Sequence, residues 1–101
     1  MRASKNNMSE HGSDSTVFVG KKPTMSYVLA CLTLFQNGTV DITLKARGRA
    51  ISKAVDAAQI LTKKFVPEVT VKSIELGTEL VKSLDSGTSS DVSSMEIHLS
   101  K

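Results

Sequence analysis

Cysteine is nearly missing from this sequence: among 101 residues only Cys31 carries a thiol, so no intramolecular disulfide framework can hold the chain together. With His11 and His98 the only histidines, no Cys/His cluster has zinc-ligand spacing, and neither a metal nor a cofactor is expected. Long apolar runs are missing too. The longest, Tyr27–Phe35, is nine residues with Thr33 inside it, against roughly 20 needed to cross a bilayer, so no membrane span is expected. Arg2 and Lys5 have no apolar stretch behind them, which argues against a secretory signal and for a protein that stays inside the cell. Catalytic constellations are equally sparse. Gly20-Lys21-Lys22 has the form of a phosphate-binding loop's end, but Ser15 stands where the upstream glycine is required. Neither histidine is tied by spacing to a nucleophile, and Cys31 reads as a packed, inert thiol in an apolar segment. Asp41 and Asp56 are single carboxylates suited to pairing with lysines, so no enzyme is expected.

What the sequence does have is a separated charge. Composition, 40% apolar and 23% charged, fits one globular domain. Residues 1–19 are balanced; residues 20–65 carry eight basic side chains against two acidic ones, a net +6; residues 66–101 carry three against six, a net −3. A basic centre of this kind points to a polyanionic partner. The acidic remainder would suit, at most, the interaction surface of an adaptor.

Residues 1–16 have little to bury and read as a mobile tail. Val17–Val19 reads as a short strand closed by Gly20. Pro23 then suits a first helical turn, and Met25, Val28, Leu29, Leu32 and Phe35 give Thr24 to Gln36 helical spacing, stopped by Asn37-Gly38. Tyr27, Ala30, Cys31 and Leu34 make that helix apolar nearly all round, so a second copy of the chain is expected to cover part of it. Val40, Ile42, Leu44 and Ala46 alternate as a strand's buried face. Beyond Arg47-Gly48-Arg49, the residues Ile51, Ala54, Val55, Ala58, Leu61 and Phe65 form a helical stripe ended by Pro67. Val69 and Val71 followed by Ile74 and Leu76 suggest a bulged strand, and Met95, Ile97 and Leu99 alternate in a last one after the turn at Asp85-Ser86-Gly87. The expected fold is α/β (α+β): a two-layer βαβαββ sandwich, with a four-stranded mixed sheet and two helices on one face.

This reading places Lys21 and Lys22 at the first βα junction, and Lys45, Arg47 and Arg49 at the second. In a parallel βαβ unit both junctions lie on one sheet edge, where helix N-termini add positive potential and arginine forks can grip phosphate oxygens. Gly48 would let the backbone approach a phosphate closely. The convergence points to nucleic acid. Lys63 and Lys64 close the second helix, and Phe65 beside them suits either core packing or a protein contact. Phe18 and Tyr27 could stack on bases if exposed, but their positions favour burial.

Gly20-Lys21-Lys22-Pro23, Met25, Tyr27-Val28-Leu29-Ala30, the run Lys45-Ala46-Arg47-Gly48-Arg49-Ala50-Ile51-Ser52-Lys53-Ala54-Val55-Asp56 and Ser94-Met95-Glu96-Ile97 together resemble the archaeal chromatin proteins of the Alba (Sac10b) family, over residues 17–101. The resemblance implies a homodimer that binds double-stranded DNA and also RNA with little sequence preference, coating or compacting DNA on the chromosome in the cytoplasm. It puts the family's nucleic-acid contacts on Lys21, Lys22, Lys45, Arg47 and Arg49. It matches Lys21 to a lysine acetylated in some relatives, which implies an acetylase and a deacetylase as partners, and Phe65 to the aromatic that joins dimers along DNA. The hairpin arm, about residues 76–99, departs from the family's basic arms: from Lys82 to Asp91 it has one lysine against Asp85 and Asp91, so weaker arm contacts are expected. The alternative implied function is that of a ribonucleoprotein component or RNA chaperone.

Overall fold

Parallel pairing between two short strands organises the molecule. In the computed structural model, which describes residues 14–83, 85 and 87–101, strand β1 (Asp14–Phe18) lies parallel to β2 (Asp41–Arg47), with Ser15 opposite Ile42 and Phe18 opposite Lys45. Residues 1–13, most of the expected tail, lie outside the described residues. Strand β1 begins at Asp14 rather than Val17, because Ser15 and Thr16 gain ladder partners on β2 despite their weak apolar signal. Val19, just past the strand, donates its N–H to the Lys45 carbonyl at 2.8 Å and is buried.

Helix α1 (Thr24–Gln36) has the expected bounds. Its end is a Schellman arrangement: Gly38 takes φ +100°, its N–H bonds the Phe35 carbonyl at 3.2 Å, and the Thr39 N–H bonds Leu34 at 3.0 Å. Strand β2 follows with Ile42, Leu44 and Ala46 buried, while Val40, which the alternation placed with them, precedes the strand and is exposed. Helix α2 (Ala50–Ile60) continues into a π-helical turn (Leu61–Phe65), in which the Val66 N–H reaches back five residues to the Leu61 carbonyl at 2.8 Å. Ala54, Ala57, Ala58 and Leu61 form its buried face; Val55 and Phe65, expected on the stripe, are exposed.

Strands β3 (Thr70–Lys82) and β4 (Ser89–Ser100) pair antiparallel, with the expected irregularity falling between Val71 and Ser73. The sheet order is β1-β2-β4-β3, four strands of mixed direction backed by two helices, as the sequence implied. Helix α1 packs on β1 and α2 packs on β2 and β4, enclosing a core of Val28, Ile42, Leu44, Leu61, Ile97 and Leu99. The outermost strand, β3, packs mainly on β4. Its Ile74 and Leu76 face the same side as Ile97 and Met95, yet lie beyond the helices, so Ile74, Leu76 and Leu80 form an exposed apolar row. The residues of that row are more exposed than the large apolar residues of α1, where Tyr27, Val28, Cys31 and Phe35 are buried and Met25, Leu29 and the small Ala30 are exposed.

Candidate nucleic-acid interface

The register of β1 on β2 brings the two βα junctions to one edge of the sheet. The first junction is a stiffened loop. Tyr27, buried on α1, turns its hydroxyl oxygen toward it and accepts the N–H groups of Gly20 at 2.8 Å and Lys22 at 3.0 Å. From α2, Lys53 reaches across and donates its Nζ to the carbonyl oxygens of Lys22 at 2.7 Å and Gly20 at 3.3 Å. Burial pushes the Tyr27 phenol upward, but the two backbone donors and the charges of Lys53 and Lys22 outweigh it, so its pKa lies below the ordinary tyrosine value. With those amides turned inward, the exposed side chains of Lys21 and Lys22 are what this loop offers to an anion.

At the second junction Gly48 has φ +57°, and its N–H bonds the Ser93 carbonyl at 2.8 Å. A Cβ there would meet Val92 Cγ1 at 3.3 Å. Glycine is therefore required by the turn and by β4, not by the close approach of a phosphate to a free backbone amide. Arg49 opens α2 and is exposed; among the described residues it, Lys21 and Lys22 make no ion pair.

Lys45 and Arg47 differ. Odd-numbered β2 residues face away from the helices, and there Lys45 Nζ lies 3.7 Å from Glu96 Oε2, while Arg47 Nη1 donates to Glu79 Oε1 at 3.1 Å. All four side chains remain substantially exposed, so these pairs are weak and exchangeable. They line a groove of about 460 Å³ together with Phe18 and Gly20. Phe18 is 73% exposed, contrary to the expected burial, because Val17 and Val19 take the inward positions of the alternation. Tyr27 is buried, as expected. Phe65 is 43% exposed beside Lys63 and Lys64 and does not line this groove.

The structure thus gathers Lys21, Lys22, Arg47 and Arg49 on one edge and continues them onto the open face through Lys45. Lys53 as the tether, the exposure of Phe18 and the two glutamates that partner the cations were not legible in the sequence. The family model described as Alba matches residues 15–78. The chain belongs to the Alba family. It is 52% identical over 88 residues to DNA/RNA-binding protein Alba 1 of Archaeoglobus fulgidus, covering 87% of this chain and 97% of that protein. It is 51% identical over 88 residues to DNA/RNA-binding protein Alba of Thermoplasma acidophilum, with the same coverages. Among solved structures, Alba from Thermoplasma volcanium superposes with a TM-score of 0.80 at 52% identity, covering 85% of this chain and 99% of that one. ALBA1 from Trypanosoma brucei gives 0.69 at 26% identity, covering 85% and 68%. The Alba resemblance and the four-stranded, two-helix architecture are both borne out. Among the described residues no helix is long and apolar enough to cross a membrane.

Proposed function

We propose that this Alba-family chain is an architectural protein of the chromosome, binding double-stranded DNA, and RNA, as a homodimer and with little sequence preference. The observation that carries this reading is the meeting of two cationic βα junctions, 21–22 and 45–49, on one sheet edge. Lysine and arginine on phosphates position a protein without reading bases, which fits a coating or compacting role in the nucleoid. Curated relatives about half identical to this chain carry the name DNA/RNA-binding protein. The exposed Ile74–Leu76–Leu80 row supports a homodimer, since a lone chain gains by covering it. Removing the charge of Lys21, by acetylation or substitution, would then tune affinity on every sequence alike, with an acetylase and a deacetylase as its agents.

The test is a mobility-shift series on duplex DNA across salt. If about six phosphates are neutralised per dimer, log K against log salt has a slope near −5. Lys21→Gln, Lys22→Gln, Arg47→Gln and Arg49→Gln should each flatten it by about one. A flat salt response, or variants indistinguishable from the parent, refutes the site. One observation favours a second reading. Phe18, exposed beside Lys45 and Arg47, has the surroundings of a stacking platform for unpaired bases, which suits a ribonucleoprotein component or RNA chaperone. Competition between duplex DNA and partly single-stranded RNA at equal salt separates the two.

A further inference from the structure

We propose that His98, Glu75 and Glu96 form a binding site for a divalent transition-metal ion of the zinc type on the open face of the sheet. His98 lies on β4 between Thr43 of β2 and Ser73 of β3, and Glu96 lies opposite Glu75. The three side chains are therefore brought together by strand pairing, and no spacing within one segment of sequence shows them as a set. Their ligand atoms all lie within 4.8 Å of one another.

The contact of the imidazole with Thr43 suits a ligand. Its Nδ1 is 3.0 Å from Thr43 Oγ1; with Nδ1 as the donor, the lone pair on Nε2 points the other way. That Nε2 is shielded from solvent and has no hydrogen-bond partner among the described residues. It faces Glu75 Oε2 at 3.5 Å and Glu96 Oε1 at 3.7 Å. A lone pair directed at two carboxylates needs a positive species between them, either a proton or a metal ion. The distances, 3.5 and 3.7 Å, are longer than a direct N–H···O bond and fit a bridging metal. A proton shared between nitrogen and oxygen holds them about 2.7–3.2 Å apart. Two ligands on a tetrahedral zinc ion, at bond lengths near 2.1 Å, stand about 3.4 Å apart.

Two further features agree. Glu75 and Glu96 are directly opposed like charges on adjacent strands, an arrangement that costs stability unless a cation lies between them. The two oxygens of Glu96 are also divided: Oε2 faces Lys45 at 3.7 Å, whereas Oε1 faces His98. Lys45 therefore leaves one Glu96 oxygen to the ion. On the Ser73 side, Glu75 and His98 border a hollow of about 340 Å³ that Asp41 and Lys72 also line, through which an ion could approach.

The test uses the full chain without nucleic acid. Titration with zinc chloride by calorimetry should give one ion per chain, and zinc should raise the thermal midpoint by several degrees, reversed by EDTA. Glu75→Gln, on an exposed side chain, should weaken binding by about tenfold or more, and His98→Gln should abolish it; circular dichroism without zinc shows whether each variant folds. His11→Gln should bind as the parent does. In long-range imidazole ¹⁵N spectra, zinc should move Nε2 of His98 and leave Nδ1 bonded to a proton. No binding at about 100 µM zinc, a zinc response retained in Glu75→Gln and His98→Gln, or an Nε2 of His98 that stays protonated in the presence of zinc would overturn the proposal. The last outcome would make the cluster a histidinium ion pair.

Discussion

Glu79, whose carboxylate lies 3.1 Å from Arg47 Nη1, competes with any anion for that guanidinium. An exposed pair of this kind is worth about 0.2–1 kcal/mol, so a phosphate can displace the carboxylate at modest cost. Glu79→Gln should therefore tighten DNA binding about two- to fivefold at low salt, and the gain should fade as salt screens the interaction; parallel shift titrations at two salt concentrations read this directly. Cys31 gives a prediction of another kind. Burial pushes its thiol from 9.0 up to about 12, so in the folded chain it keeps its proton where the unfolded chain has lost it. The unfolded state then binds fewer protons between pH 9 and 12, and the stabilisation, complete below pH 9, drains away as pH rises through that window. Denaturant unfolding at pH 8 and pH 10.5 should show the parent losing about 1 kcal/mol or more relative to Cys31→Ala, up to about 1.4 kcal/mol per pH unit in the window.

The elements were legible where local pattern and tertiary burial agree. Met25 to Phe35 gave α1 its bounds and Ile42, Leu44 and Ala46 gave β2 its inner face. They were less legible where one residue changes a register or where a neighbour decides exposure. The π-helical turn at 61–65 carries Phe65 off the stripe begun by Ala54 and Ala58, an effect no periodicity displays. Strand β3 shows apolar alternation like a buried strand, but the sheet order places it beyond the helices. These two features give separate tests of the proposed homodimer and of the proposed contact between dimers. If the proposed homodimer forms through the exposed Ile74–Leu76–Leu80 row, Leu76→Glu should yield monomers in sedimentation where the parent sediments as a dimer, with the far-ultraviolet spectrum unchanged. Phe65→Ala should keep the dimer and the fold and lower only the cooperativity of DNA binding; loss of folding would instead assign Phe65 to the core.

At the scale of the whole molecule, the shared edge of the two βα junctions was legible in the sequence, because parallel pairing alone dictates where strand ends meet. The partners Glu79 and Glu96 were not legible, since they reach Lys45 and Arg47 from β3 and β4 across a face whose neighbours only the strand order defines. The loop of Lys21 and Lys22 is held on both sides, by the phenol of Tyr27 and by the ammonium of Lys53. Its backbone freedom is surrendered during folding, leaving little to lose when a phosphate arrives. Calorimetry of complex formation should consequently show a small heat-capacity change and a favourable entropy carried by released counterions.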